Sequence, residues 1–326
     1  MISNVLNRLK SIFNNPISLD KNFICLAGGS TFSSQQQTNE VFSEKWSIFD
    51  GHDNSEKDKL YAFQKEWYLK LYGFSTESSL RDFLVDKKII FDAGCGLGYK
   101  AAWFAQLAPD SLVIGMDFSE ASKVAAINYR DIPNLVFLQG DIASTGFKNG
   151  VIDYVSCDQV IMHTENPEST FKELARITAK PAGQLACYFY AKKALPRELL
   201  DDYFRNHCIE VSTQELWELS EQLCELGKRL SEINVSINVP EIPLLGIKGG
   251  QMDLQRFVYW NFIKCFWNED LGRATSIATN FDWYSPSNAK RFDIEEVHSI
   301  VYSNNMTIIS FHSEEACYSG RFGFVG

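Results

Sequence analysis

The feature that most constrains the fold of this chain is an alternation of short apolar runs with helical patterns between residues 87 and 193. We predict strands in the runs KKIIFDAG, LVIGMDFS, LVFLQGDI, VIDYVSCDQVIM and GQLACYFYAK. Helical patterns occupy YKAAWFAQLA, SEASKVAAINYR and PESTFKELARITA between them. Strands joined by such helices form right-handed βαβ units, which build a parallel sheet covered on both faces. The alternation therefore predicts an α/β fold.

The segments that flank this region do not alternate in the same way. Residues 194–292 have mainly helical patterns, and a helix and two strand-like runs that predict an antiparallel pair follow them. We therefore expect a doubly wound, mostly parallel sheet with an antiparallel last strand. The predicted segments are an N-terminal helical lid extension (1–85), the core (86–193), a mainly helical substrate-lid insertion (194–292) and a closing helix with antiparallel strands (293–326). Within the extension, the polar stretch SSQQQTN predicts a loop.

The first residues of the chain predict an amphipathic helix. Its apolar positions recur at helical spacing and are Ile2, Val5, Leu6, Leu9, Ile12 and Phe13. Such a helix docks on its own domain or on a partner subunit, and a helix lying on a membrane surface is the alternative. The chain has no apolar run long enough to span a bilayer and no continuous apolar segment typical of a signal peptide.

Charge and cysteine content narrow the partners that we expect. The formal net charge is −10, and no stretch is dense in Lys and Arg, which disfavours a nucleic-acid partner. The eight cysteines form no CxxC pair and no His/Cys spacing typical of a zinc site. We therefore expect a cytoplasmic protein that binds a small molecule, with no metal indicated. A homodimer is a candidate assembly.

The strongest local signal is the run DAGCGLG, from Asp92 to Gly98, at the end of the first predicted strand. Its glycines let the backbone turn sharply and approach a ligand, because a Cβ there would collide with it. In an open α/β sheet this turn lies at the carboxyl ends of the strands, where ligands bind. A glycine turn also occurs in dinucleotide-binding dehydrogenases, so it does not identify the ligand by itself.

Carboxylates end the next two predicted strands. Asp117 ends the second strand, where it can accept hydrogen bonds from both hydroxyls of a ribose. Asp141 ends the third strand, where it can accept from the exocyclic amine of an adenine while Ile142 packs on the ring. Taken singly, the glycines also suit a tight turn and Asp117 a helix cap. Together they predict a site for a nucleoside.

This succession of a glycine turn and two acids resembles the class I S-adenosylmethionine (SAM)-dependent methyltransferases. The resemblance implies a Rossmann-like fold and SAM as the cofactor. It favours SAM over a dinucleotide because the acid at the start of the turn suits the cationic end of SAM but not a pyrophosphate. The residues expected to hold the cofactor are Asp92, Ala93, Gly94, Cys95, Gly96, Gly98, Asp117, Phe118, Asp141, Ile142, Asp158 and Gln159.

The stretch CDQVIMHTENP after the fourth predicted strand is similar to the corresponding stretch in many small-molecule methyltransferases. It lacks the Asn/Asp-Pro-Pro-aromatic signature of enzymes that methylate nucleobase amines, which disfavours that substrate. Asp158 and Gln159 are expected to lie near the sulfonium. His163 is the candidate general base, since its usual pKa suits that role. The alternative is that His163 forms a local hydrogen bond and shapes the loop.

The outer segments resemble a more specific group. GGSTFSSQQQTNEVFSEKW, RELLDDYFRN, DLQRFVYW and NFDWYSPSNAKR are similar to a largely uncharacterised bacterial subgroup of small-molecule methyltransferases. The candidate substrate-binding residues there are Trp46, Arg197, Arg256, Tyr259, Trp260, Asp282, Trp283 and Tyr284. The aromatic residues would wall a pocket, and the arginines would clamp a carboxylate or phosphate. Alternatively, the aromatic residues fill the core of the insertion and the arginines pair with Asp201, Asp202 or Asp253.

Our leading hypothesis is a methyltransferase that acts on oxygen or nitrogen of a small molecule, with a sugar, a glycan precursor or a specialised metabolite as candidate acceptors. The alternatives are an NAD(P)-dependent oxidoreductase and a SAM-binding regulatory subunit that depends on a partner for activity. Asp92 and Asp141 disfavour the oxidoreductase. The sequence leaves the acceptor atom and the regulatory alternative open.

Overall fold

The computed structural model describes residues 2–26, 33–51 and 54–324, and its centre is an eight-stranded sheet. In spatial order the strands are β1 (Phe23–Cys25), β4 (Leu135–Gln139), β3 (Leu112–Asp117), β2 (Ile89–Ala93), β5 (Tyr154–Cys157), β6 (Gln184–Tyr190), β10 (Cys317–Phe324) and β9 (Met306–Ser313). The first six run parallel, and β10 is antiparallel to both of its neighbours. The predicted α/β fold, with a mostly parallel sheet and an antiparallel last strand, is confirmed.

Helices of the core follow the predicted alternation. They are α5 (Tyr99–Leu107), α6 (Ala121–Asn128) and α7 (Pro167–Ile177), with α12 (Ile294–Ser303) before the closing strands. The residues of β2 and β3 that face these layers, such as Phe91 and Val113, are fully buried. Burial on both faces explains why these strands have continuous apolar runs rather than alternating ones.

The N-terminal region adds α1 (Ile2–Ile12), β1, α2 (Ser33–Asp50), α3 (Asn54–Leu71) and α4 (Glu77–Leu84). Leu9 and Ile12 of α1 are buried, and the ring of Phe13 lies 4.6 Å from that of Phe147. The apolar face of α1 is thus packed on its own domain, as one alternative predicted. β1 pairs in parallel with β4, so the extension also contributes an edge strand.

The prediction of a loop at SSQQQTN is wrong, because this stretch begins α2. Its polar side chains bond to distant backbone and so support a helix that local pattern does not favour. The side-chain amide oxygen of Gln37 accepts a hydrogen bond from the Ser287 backbone N–H over 2.8 Å. Gln35 accepts one from the backbone of Glu165 over 2.7 Å. Residues 28–32, which begin the segment that resembles the bacterial subgroup, lie outside the described residues.

The insertion is mainly helical, with α8 (Leu195–Cys208), α9 (Thr213–Glu232), α10 (Leu254–Asn261) and α11 (Gly272–Tyr284). It also contains a hairpin that the sequence did not predict, formed by β7 (Ser236–Val239) and β8 (Gly250–Asp253). The helical pattern of the run MDLQRFVYWNFIKCFWN is followed only in part, because α10 ends at Asn261. The chain then packs against α9 at Gly227, where a Cβ would lie 2.3 Å from the Cys265 carbonyl oxygen.

No described helix is both long enough and apolar enough to cross a lipid bilayer. The division of the chain into four functional segments stays a prediction.

Candidate active site

A cavity of about 590 Å³ lies at the carboxyl ends of β2, β3, β4 and β5. α2 and the insertion close it on the opposite side, through residues such as Trp46 and Trp283. Its volume is within the range of small-molecule sites, roughly 300–1,000 Å³. Ligand sites of open α/β sheets occur at this edge.

The glycine turn after β2 approaches its neighbours too closely for any side chain. Gly94, Gly96 and Gly98 have φ values of 79°, 51° and 80°. A Cβ on Gly94 would lie 2.4 Å from Val160, and one on Gly98 would lie 2.6 Å from Phe137. Gly94, Cys95 and Gly96 line the cavity. The turn therefore presents backbone, rather than side chains, to a ligand.

Asp117 and Asp141 line the same end of the cavity. One Asp117 oxygen accepts from the Gly96 amide over 2.8 Å, and the other accepts from the Ser119 amide over 2.9 Å. Asp141 uses one oxygen to accept from the Ala143 amide over 2.8 Å. Burial raises the pKa of both carboxyls above the usual value. Phe118 and Ile142, next to them in the chain, also line the cavity.

Asp92 lies beneath the turn, outside the cavity wall. It is buried, and its Oδ2 has no hydrogen-bond partner. Burial raises its pKa to about 6, against the opposing effect of the Lys100 charge. Glycines that a Cβ would clash with and two carboxylates on the cavity fit a nucleoside cofactor such as SAM. Ala93 and Gly98 likewise lie outside the lining.

Asp158 is held in a buried ion pair. Lys100 donates to it over 2.5 Å and the Tyr72 hydroxyl over 2.8 Å. Burial alone would lower the pKa of Lys100. The adjacent Asp158 carboxylate has the opposite and larger effect together with its neighbours, so the pKa of the lysine is raised. Gln159 has a φ of 63°, a left-handed conformation that is uncommon outside glycine and often occurs at functional sites. Both Asp158 and Gln159 line the cavity.

His163 lies on the cavity wall, with its ring packed against Phe42 and Tyr190. Its Nδ1 is 2.7 Å from the Asn288 carbonyl oxygen, and this contact assigns the proton to Nδ1. Burial lowers the pKa of His163 to about 4. The imidazole is therefore neutral at pH 7, with Nε2 as a hydrogen-bond acceptor. Its role as a general base stays a prediction.

Most of the candidate substrate residues line the cavity, and all of these except Trp46 belong to the insertion. Trp46 of α2 lies against the glycine turn, since a Cβ on Gly96 would be 3.0 Å from its ring. Those that line it are Trp46, Arg256, Tyr259, Trp260, Asp282 and Trp283. Asp282 is paired with Lys45 of α2 over 2.6 Å, and this ion pair connects α2 to α11. The aromatic residues thus face the space next to the cofactor end.

Arg197 and Tyr284 are placed behind this wall. Arg197 is fully buried, pairs with Asp201 over 2.9 Å and donates to the Tyr259 carbonyl oxygen. The Tyr284 hydroxyl and the Trp283 indole each donate to Asp201 over 2.7 Å. This arrangement corresponds to the alternative in which Arg197 pairs with Asp201 and supports the wall.

Several lining residues were missed by sequence reasoning. They are the stacked pair Tyr61 and Tyr99, the ion-paired Lys100, and two lysines of the insertion end, Lys193 and Lys264. The ring centroids of Tyr61 and Tyr99 are 4.3 Å apart. A lone lysine inside the aromatic run NFIKCFW was the available signal for Lys264.

Comparisons with known proteins agree with this geometry. Residues 91–187 match a family described as a methyltransferase domain. An uncharacterised methyltransferase of Schizosaccharomyces pombe is 31% identical over 107 residues, 30% of this chain and 38% of that protein. The trans-aconitate 2-methyltransferase of Deinococcus radiodurans is 43% identical over 53 residues, 16% of this chain and 20% of that protein. The chain thus spans well under half the length of these two relatives.

Among solved structures, the magnesium protoporphyrin IX methyltransferase of Synechocystis with bound SAM is similar at 14% identity and a TM-score of 0.47. The similarity covers 91% of this chain and 100% of that one. The matched domain model, the related sequences and the strand-end glycines and acids agree with one another. By these observations residues 91–187 form a methyltransferase domain, whose cofactor is SAM.

Proposed function

We propose that this protein is an enzyme that transfers a methyl group from SAM to an oxygen or nitrogen of a small molecule. The observation that carries the proposal is the single cavity that joins the glycine turn, Asp117 and Asp141 to an aromatic wall from the insertion. A site that binds only the cofactor would not need this second half. A cavity of this volume, with Tyr259, Trp260 and Trp283 on its insertion side, favours a small acceptor over a macromolecule.

The chain supplies positioning rather than covalent chemistry. SAM, when bound, supplies an electrophilic methyl on a sulfonium. Reactants held in near-attack geometry, with water excluded, account for much of the acceleration in such displacements. In our proposal Asp117 and Asp141 hold the nucleoside, and Trp46, Trp260 and Trp283 hold the acceptor against it.

His163 is proposed to act on the acceptor's proton. Its fixed tautomer leaves Nε2 to accept a hydrogen bond from a hydroxyl or amine. Because the pKa is about 4, the imidazole is a weak base, and orientation of the acceptor is its larger contribution. Asp282 is the candidate partner for a second polar group, although Lys45 already occupies one of its oxygens.

We further propose a cytoplasmic location and retain a homodimer as the candidate assembly. All eight cysteines are free thiols and seven of them are buried, which suits a reducing compartment. A sugar, a glycan precursor or a specialised metabolite remains the proposed kind of acceptor, with no nucleic-acid partner.

Calorimetric titration with S-adenosylhomocysteine (SAH) tests the cofactor site. We expect binding of SAH and no binding of NAD, and the reverse would favour the oxidoreductase. Incubation with methyl-labelled SAM and a metabolite extract then tests transfer. Label in a small-molecule product is the expected result. Binding of SAH without transfer to any component of the extract would favour the regulatory subunit.

A further inference from the structure

The charges that line the cavity are divided between its two ends. Three lining cations are paired with lining carboxylates: Lys45 with Asp282 over 2.6 Å, Lys70 with Glu314 over 3.0 Å and Lys100 with Asp158 over 2.5 Å. The acids left over are Asp117 and Asp141, at the cofactor end. The bases left over are Lys193, Arg256 and Lys264, at the insertion end, and no described carboxylate forms an ion pair with any of them.

Lys264 is the most buried of these bases, at 6% exposure. Its ammonium donates to the Tyr259 hydroxyl over 3.0 Å and lies 4.9 Å from the centre of the Trp283 ring. Among the described residues no other acceptor contacts it, so two of its N–H groups remain for a ligand. A buried cation with so few partners is costly unless an anion joins it.

Arg256 completes a pair of donors at this end. Its guanidinium lies over the Tyr259 ring at 5.6 Å and the Phe266 ring at 5.9 Å. Within the described parts of the chain, its side-chain N–H groups form no hydrogen bond. Asp253, the nearest acid in the chain, instead caps α10 by accepting from the Arg256 backbone amide over 3.1 Å. The planar fork is therefore available to an oxyanion.

Lys193 contributes a positive charge to the pocket but has no N–H group left to donate to a ligand. Its ammonium donates to the carbonyl oxygens of Ala191, Glu315 and Ala316 over 2.6, 2.8 and 3.2 Å, which uses all three N–H groups. It lies 5.5 Å from the Trp260 ring and 5.7 Å from the Trp283 ring. Its positive charge therefore acts through space on the same aromatic pocket.

We infer that the methyl acceptor is a carboxylate-bearing molecule with a flat apolar part, and that Lys264 and Arg256 bind its carboxylate. The apolar part lies among Tyr259, Trp260 and Trp283. This inference rests on the proposed function and specifies its substrate class. The inference is supported by the cluster of positively charged side chains at this end of the cavity, in a chain whose formal net charge is −10. The Asp253 carboxylate already caps the N-terminus of α10, so this helix start is not available to a phosphate.

The test uses the full chain saturated with SAH and benzoate as the probe, with benzamide as its neutral isostere. Both are titrated by saturation-transfer NMR. We expect benzoate to bind at least about tenfold more tightly than benzamide, a difference of about 1.4 kcal/mol. Equal affinities, or no benzoate binding, would overturn the inference. Phenyl phosphate binding more than tenfold tighter than benzoate would overturn it as well, in favour of a phosphate ligand.

Variants connect the affinity to the two donors. Lys264→Met and Arg256→Gln should each weaken the binding of benzoate at least about tenfold and leave the binding of benzamide unchanged. Arg229→Gln is the matched control, because Arg229 is exposed on α9 and pairs with Glu225 over 2.8 Å. Unchanged benzoate affinity in Arg256→Gln would contradict the assignment. Calorimetry with SAH separates the two proposals, since a wild-type protein that fails to bind SAH refutes the proposed function itself.

Discussion

The Asp117 carboxylate accepts a hydrogen bond from the backbone amide of Gly96 over 2.8 Å, so the end of β3 holds the glycine turn that follows β2. The same carboxylate accepts from the amide and hydroxyl of Ser119 over 2.9 and 2.6 Å. One side chain thus fixes the shape of two loops on the cofactor wall. A carboxylate can serve three donors and still accept another, as a ribose hydroxyl would require.

Replacement of this carboxylate by an amide should weaken cofactor binding. Asp117→Asn keeps the shape but turns one acceptor oxygen into a donor, which leaves a buried N–H unpaired at a cost of about 1–3 kcal/mol. We expect the Kd for SAH to rise at least about tenfold in calorimetry. The control Asp131→Asn changes an exposed acid and should have no effect. Equal SAH affinity in the two variants would contradict the role of Asp117.

The glycine turn should tolerate a methyl group less well than another left-handed glycine does. Gly98 and Gly272 have φ values of 80° and 81°, but a Cβ on Gly98 would meet Phe137 at 2.6 Å, whereas nothing lies within 4 Å of one on Gly272. Gly272→Ala should lower the free energy of unfolding by about 1–2 kcal/mol, the cost of a left-handed backbone conformation for alanine. Gly98→Ala should cost a further ~1–3 kcal/mol from overpacking. Urea denaturation measures both, and equal losses would show that the close approach is harmless.

The pH dependence of methyl transfer should carry no signature of an ordinary histidine. Since burial lowers the pKa of His163 to about 4, the imidazole is neutral throughout the range from pH 6 to 9. For the methyl acceptor, we expect kcat/KM to show no rise with pH near 6.5, the direction that an ordinary histidine base would give. We expect His163→Gln to lose about tenfold in kcat, less than the 10²–10⁴ of a full general base. An inflection near 6.5 that vanishes in the variant would contradict this.

Binding of a carboxylate should weaken as the pH rises through 7. Burial, together with the Arg197 and Lys264 charges, lowers the pKa of Lys193 to about 7, while Glu198 and Cys317 act in the opposite direction. The ammonium is charged below that pH and neutral above it, so the attraction for an anion is present at pH 6 and lost by pH 8. We expect benzoate affinity to fall several-fold across this range, and Lys193→Met to remove the slope. A slope that persists in Lys193→Met would assign it to another group. SAH affinity measured in parallel controls for unfolding.

The part of the site that the sequence predicted is the part that local pattern determines. Gly94, Asp117 and Asp141 lie where predicted strands end. The alternation of strands and helices is enough to place those ends at one edge of a parallel sheet. The start of α2 could not be predicted in this way, because Gln37 and Thr38 support it by bonding to residues about 250 positions away. Lys193 and Lys264 were missed for the same reason, since their roles depend on which groups surround them after folding.

Arg197 illustrates the opposite case, a residue whose chemistry suited a ligand but whose surroundings supply a partner. Its spacing of four residues from Asp201 on α8 made the internal ion pair available from the start. The sequence could offer both alternatives, and burial of the pair distinguishes them.

The hydrogen bonds that connect α2 to the rest of the molecule have a consequence for turnover. α2 closes the cavity and is joined by side chains to two separate loops, at Glu165 and at Ser287, and by Lys45 to Asp282. Any opening of the cavity that moves α2 has to break these bonds, and because the Asn288 side-chain amide also reaches the Glu165 carboxylate over 3.4 Å, the two loops hold the helix as one unit. In the proposed enzyme, exchange of cofactor and product by this route would therefore be slowed by each of these contacts.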